Sequence, residues 1–298
     1  MTRRQAILAL WATCLIWGVA FPLTKLVLAD ATPMAFTAAR FLVATLLVAP
    51  ALRGVSREEW RAGAVLGALL ALGFATQTVG LLWTTASRSG FLTSLYIPFT
   101  PLVVLAVYRA LPERLAGLGL LVAVGGLVLL THPGDLSGGL NRGDALTIAC
   151  ALCFASHMVA TGHFAQRLRV ERLMMAQIAV AALLTTVATP LLETPRLHWT
   201  PFVIGMVAYE AVIASVVAIR LQLGAQQVLS PTYSALIYTL EPVIAALTSL
   251  LIVGDRLRPV QWLGGLLILL GSLLPELRTA LRTRRGADPV DPPRPGAG

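Results

Sequence analysis

YTLEPVIAALTSLLIVGD, residues 238–255, decides how the rest of the chain is read. The run is largely apolar, yet Glu241 stands near the middle of the expected span 231–252 and Pro242 follows it. A spanning helix needs about 20 mostly apolar residues, and this stretch supplies most of one. A carboxylate at the centre of such a helix costs about 2.5–3.5 kcal/mol on insertion scales, so it needs a partner, a water-filled cavity or a proton. Pro242 has no N–H, so the carbonyl of Tyr238 loses its helical donor as well. Two readings of Glu241 follow: a hydrogen bond across the kink that positions and gates the helix, or direct contact with a substrate ammonium or a coupled proton. The first is favoured here and the second stays open.

Working outward, the same apolar character continues through the chain. Of 298 residues, 57% are hydrophobic and 12% charged, with a mean hydropathy of +0.79. Soluble domains carry about 25% charged residues. No soluble core hides that much apolar surface, so the solvent is lipid. Ten candidate spans are expected, at 6–27, 34–50, 61–83, 90–109, 115–131, 145–165, 173–192, 200–221, 231–252 and 259–275. Barrel strands alternate apolar and polar residues, and stretches such as LVAVGGLVLL (121–130) do not. The first apolar run lacks a small-residue cleavage site and reads as a span, not a removed leader.

The net charge of +9 is explained by position. If the N-terminus is cytoplasmic, the cytoplasmic ends hold Arg3, Arg4, Arg53, Arg57, Arg61, Arg109, Arg114, Arg167, Arg169, Arg172, Arg220 and the tail arginines 278, 282, 284, 285 and 294. The other face holds Arg88, Arg142, Arg196, Arg256 and Arg258. This asymmetry places both termini in the cytoplasm, and no nucleic-acid partner is needed. Cys14, Cys150 and Cys153 fall inside expected spans, where they read as small packing residues and not as a metal or redox set. One lysine against twenty-two arginines hints at a GC-rich bacterial source.

THPGDLSGGLNRGDAL (131–146) is the longest polar break, with five expected spans on each side. IPFTPLVVL (97–105) resembles YTLEPVIAAL (238–247), placing Pro101 over Pro242. ERL (113–115) matches DRL (255–257), and the Gly119/Gly126 pair matches Gly264/Gly271. Pro50 and Pro190 each end the second span of a half. The expected organisation is a five-helix repeat over 1–131, an external linker over 132–143, a second repeat over 144–277 and a disordered cytoplasmic tail over 278–298. An odd number of spans per half inverts the second repeat, the arrangement of alternating-access transporters.

LIWGVAFPLTK (15–25), FTAARFLVA (36–44), LEPVIAALTSLLIVGD (240–255) and QWLGGLLILLGSLL (261–274) resemble the EamA-type drug/metabolite transporter pattern over roughly residues 1–277. The resemblance implies an all-α membrane protein of ten helices in two inverted repeats, exporting small metabolites, often amino acids. This chain departs from the pattern at Thr100-Pro101, where the second half has Glu-Pro, and at Asp255 in place of a glutamate.

Depth and helical spacing then select candidate residues, because residues three or four apart share a face. Trp17 and Phe21 on one helix, Tyr96 and Phe99 on another, with His157 and Tyr238, are expected to line a central aromatic cavity and bind substrate. Arg40, Glu210, Glu241, Pro101 and Pro242 are expected to act in gating, structure or ion coupling, Glu210 having Lys25 or Arg40 as available partners. Each has a plainer reading as packing, an interhelical hydrogen bond or a fixed kink. No phosphate loop or zinc helix occurs, IVGD (252–255) falls short of GxGD and SRSG (87–90) of GxSG. No catalytic residue, metal or cofactor is therefore expected; an intramembrane hydrolase is the remote alternative. The sequence points to an exporter in a bacterial inner membrane, whose partners are lipid and an amino acid or analogue, with a multidrug or nucleoside-type efflux carrier as runner-up.

Overall fold

A computed structural model describes residues 1–80, 82–84, 86–109, 111, 113–131, 139–254 and 257–284. Within them the chain forms α1 (Arg3–Val27), α2 (Pro33–Leu52), α3 (Arg57–Gly80), α4 (Ala86–Thr93), α5 (Tyr96–Tyr108), α6 (Arg114–Thr131) and α7 (Arg142–Ala165). Then follow α8 (Val170–Leu192), α9 (Pro201–Tyr209), α10 (Ala218–Gln226), α11 (Pro231–Tyr238), α12 (Leu240–Thr248) and α13 (Pro259–Arg284). A π-helical stretch, Glu210–Val217, joins α9 to α10, and a second, Ser249–Val253, closes α12. The isolated bridge between Ala31 and Leu197 is the β-type pairing among the described residues.

Helix starts follow local chemistry. Thr2 with Gln5 and Asn141 with Asp144 form reciprocal capping boxes on α1 and α7, each satisfying two backbone donors that no helical turn can reach. Thr200-Pro201 and Ser230-Pro231 pair a capping hydroxyl with a proline that pre-sets the first helical φ.

Among the described residues, eight helical stretches are long and apolar enough to cross a membrane, including Arg3–Val27, Ser89–Tyr108, Pro201–Gln226 and Pro231–Ile252. Arg114–Leu130 and Pro259–Leu274 are apolar but shorter; they are the stretches expected as spans at 115–131 and 259–275. Two spans are interrupted: α4 gives way to α5 at residues 94–95, and α11 to α12 at Thr239. The second break lies three residues before Pro242, where Thr239 turns its hydroxyl onto the Leu236 carbonyl at 2.7 Å. The last helix continues to Arg284, past the 278 boundary expected for the tail. Residues 132–138 of the expected linker, Asp255, and the tail from 285 lie outside the described residues.

The two ends of the bundle are distinguishable. The turn after α1 meets the segment before α9, with Thr32 N–H donating to the Arg196 carbonyl at 2.8 Å. Gly80 at the end of α3 faces Gly143 at the start of α7, and Thr84 donates to Asp144 at 2.6 Å. At the other end, Met1 reaches Gly224 at the end of α10 and Arg3 lies over the Tyr233 ring of α11 at 5.1 Å. The chain therefore enters α7 from the face on which α1 ended.

α6 and α13 pack antiparallel through their paired glycines. A Cβ on Gly119 would stand 2.5 Å from the Gly271 carbonyl oxygen, and one on Gly126 would stand 2.5 Å from that of Gly264. Small residues allow this backbone approach, which replaces the missing hydrophobic drive between helices in lipid. Gly126→Ala and Gly271→Ala are each expected to lower the yield of monodisperse protein after detergent extraction, overpacking costing about 1–3 kcal/mol. Gly125→Ala, at a position with nothing within 4 Å, is expected to leave that yield unchanged or raise it, because Ala is the better helix former.

Candidate functional site

The centre of the site is built by α1 against the π-helical stretch and α12. Gly18 carries no side chain, and a Cβ there would lie 2.7 Å from Ile244 Cγ2 and 3.0 Å from the Glu241 carbonyl. That absence lets α12 close on α1 and brings the Glu241 backbone against it. Trp17 Nε1 donates to the Ala214 carbonyl at 2.9 Å, inside the π-helical turn whose altered bonding spares a backbone acceptor. Ser215 Oγ donates to the Glu210 carbonyl at 2.7 Å in the same stretch, and Tyr209 Oη donates to the Ile16 carbonyl at 2.9 Å. Trp17 and Tyr238 rings stand 5.6 Å apart at 45°. Tyr238 is fully buried, and its hydroxyl has no hydrogen-bond partner among the described residues.

Glu241 lies half-buried beside this cluster. Its Oε2 accepts a 3.0 Å hydrogen bond from Tyr96 Oη on α5, so the carboxylate ties α12 to a helix of the other half of the chain. Tyr96 starts α5 directly after the 94–95 break, which gives its ring a direction a continuous helix would not. Phe99, one turn further, is half-buried, and Thr100 is buried with its hydroxyl on the Tyr96 carbonyl at 2.7 Å. Pro101 is buried within α5. Pro242 is half-buried in α12, and α1 runs without interruption through Pro22.

A second polar cluster lies nearer the face on which α1 ends. Arg40 Nη1 and Glu210 Oε2 form a 2.7 Å ion pair, with Glu210 nearly inaccessible. Thr24 Oγ1 donates to the other carboxylate oxygen at 2.8 Å. The Arg40 guanidinium also stacks on Phe41 and Phe74, 4.6 Å from each ring centroid, and Phe74 continues edge-on to Phe154. Of the two cations available to Glu210, Arg40 is its partner, while Lys25 is exposed.

His157 is buried and sits apart from these groups, with Nε2 2.9 Å from Gln177 Oε1 on α8. The structure therefore gathers Trp17, Tyr238, Tyr96 and Glu241, gathers Arg40 with Glu210, and leaves His157 at the α7–α8 seam. The Phe21 side chain lies outside the described residues. Thr24, Phe74, Tyr209 and Gln177 escaped the sequence reading; each is a polar or aromatic residue inside an expected span, and many residues share that. Among the described residues no group of His, Cys, Asp and Glu is arranged to hold a metal ion.

A polytopic all-helical bundle with aromatic and ionised side chains gathered at mid-depth is the construction of a membrane carrier. The EamA-like transporter family pattern matches residues 4–132 and 141–275, and the chain belongs to that family. An Archaeoglobus fulgidus protein described as an uncharacterized transporter is 32% identical over 276 residues, covering 93% of this chain and 87% of its own. The Escherichia coli K12 protein YedA, described as an uncharacterized inner membrane transporter, is 24% identical over 86% of this chain and 85% of its own. One crystal structure superposes with a TM-score of 0.78 at 19% identity, over 93% of this chain and 97% of the other, which speaks to the fold alone.

Proposed function

We propose that the protein exports small metabolites bearing an ammonium group, amino acids or their analogues above all, across a bacterial inner membrane by alternating access. The observation that carries this reading is the charge arrangement at mid-depth. Arg40 and Glu210 neutralise each other, whereas the hydrogen-bond partner of Glu241 is the neutral Tyr96. A carboxylate at that depth needs a partner, a water-filled cavity or a proton, and on this reading a substrate ammonium or a proton completes what the single Tyr96 hydrogen bond leaves unmet. Trp17 and Tyr96, both half-buried, provide aromatic surface for the apolar part of the solute and for its ammonium, with the fully buried Tyr238 packed behind Trp17.

The ten-helix, inverted-repeat reading is supported by the two stretches of similar length that match the family, by the antiparallel glycine seam, and by the packing pattern. α7 packs on α3 and α5, as α1 packs on α10 and α12. These two groups meet where α11 packs on α5 and α7 and where α10 packs on α7, at the N-terminal face. Toward the other face α9 packs on α1 and α2, and α4 on α3, α6 and α7.

Orientation is tested by single cysteines in a Cys-free background. Ser56→Cys and Gly138→Cys are expected to react from opposite sides with an impermeant thiol reagent; labelling of Ser56→Cys from outside alone overturns cytoplasmic termini. Function is tested in proteoliposomes loaded with radiolabelled amino acids and, separately, with hydrophobic cations. Counterflow of amino acids is the expected result, and exchange of the cations alone overturns the amino-acid reading in favour of multidrug efflux.

A further inference from the structure

A pocket of about 550 Å³ opens on the N-terminal face, between the α7–α8 turn and the end of α10. Its rim carries Arg167 and Arg169 from the turn and Arg220 from α10, and its floor includes Val170, Leu221 and Gly224. The acidic lining residue is Glu171, which Arg220 already engages at 2.9 Å. Among the described residues, the salt bridges and side-chain hydrogen bonds around the pocket involve Arg220 and Glu171 and not the Arg167 or Arg169 side chains. The rim thus holds an uncompensated double positive charge facing a concavity.

We propose that this pocket binds a phosphate-ester anion at the level where α7, α8 and α10 leave the membrane. Guanidinium groups match phosphate oxygens bidentately. The start of α8 lies beside them, but its first turn already carries the Glu171 carboxylate, so the guanidinium groups supply the contacts to the anion. The floor is apolar because Leu221 and Val170 line it and Gly224 has no side chain; only the Met1 methyl, 3.3 Å from where a Cβ would be, lies close to Gly224. A headgroup phosphate with its glycerol against that floor satisfies both surfaces, and a free phosphate compound satisfies the rim alone. Basic pockets between spanning helices at a cytoplasmic surface are suited to this chemistry.

The test uses the full chain in neutral detergent and native mass spectrometry with an equimolar mixture of phosphatidylglycerol and phosphatidylcholine of matched acyl chains. Phosphatidylglycerol is expected to be retained preferentially. Removing each rim arginine is expected to lower that preference about fivefold, as an arginine at a membrane surface contributes about 1 kcal/mol. Arg167→Ala/Arg169→Ala therefore abolishes it, while Arg53→Ala/Arg57→Ala, which removes the same charge elsewhere on the same face, leaves it intact. A second arm measures thermal stabilisation by inorganic phosphate. Stabilisation of the parent and not of Arg167→Ala/Arg169→Ala, without lipid preference, assigns the pocket to a soluble phosphate compound and upholds the chemistry. Equal losses in both double variants, or no loss and no stabilisation in either arm, overturns the proposal. Size-exclusion profiles of all variants separate these outcomes from misfolding.

Discussion

Glu241→Gln is expected to fold as the parent does and to lose counterflow activity by about ten- to hundredfold. A hydrogen bond to a charged group contributes about 1.5–3 kcal/mol, and the amide keeps the shape of the carboxylate without its charge. Tyr96→Phe is the companion measurement. It removes the 3.0 Å tie between α5 and α12 but leaves the carboxylate, and a neutral hydrogen bond contributes only about 0.5–1.5 kcal/mol. Its effect on counterflow is therefore expected to stay within about tenfold. The ranking is what matters. If the two variants lose activity equally, Glu241 serves as a strut between helices and the ammonium reading of the site fails. If Glu241→Gln transports normally with the same pH profile, the positive charge comes from neither ligand nor proton.

The largest effect on stability is expected at the Arg40–Glu210 pair. Breaking a buried ion pair by removing one partner costs about 3–5 kcal/mol, because the survivor is left charged and unpaired. Arg40→Met and Glu210→Met are each expected to show that loss in reversible unfolding from mixed micelles. Arg40→Met/Glu210→Met is expected to be more stable than either single variant, since well-packed apolar pairs commonly replace buried ionic ones at no net cost. Arg40 also rests on Phe41 and Phe74, so Met at position 40, long and polarizable, retains part of that contact. Additive losses in the double variant would mean that the two side chains contribute separately.

Much of this architecture was visible in residue order because lipid imposes a simple rule: apolar runs of spanning length become helices. The eight long spans follow it closely; the Gly119/Gly126 and Gly264/Gly271 spacings mark an internal repeat in the sequence, and only the structure shows that they meet in a seam. What escaped was local helical geometry. Nothing in EAVIASVV (210–217) distinguishes a π turn from an α turn, since both are built from the same apolar residues and differ by which carbonyl each N–H reaches. The break at Thr239 was displaced from the proline that suggested it, because the threonine hydroxyl competes for the Leu236 carbonyl. Side-chain partners were the least legible. His157 was equally compatible with a cavity or a seam, and its pairing with Gln177 depends on the rotation of two helices that sequence spacing does not fix. Glu210 had two cations within plausible reach, and the choice of Arg40 required knowing how α2 and the π-helical stretch Glu210–Val217 sit together.

The bond from Trp17 to the Ala214 carbonyl has a consequence for how the transporter can change its diet. An indole that satisfies a backbone acceptor is not a free wall panel: replacing it leaves a stranded carbonyl in a dry helix, a cost of about 1–3 kcal/mol before any substrate is considered. Phe99, half-buried on α5, has no polar atom to leave behind. Selection for bulkier or differently shaped solutes in a mutant library should therefore enlarge or shrink the side chain at 99 repeatedly, while Trp17 persists through every round.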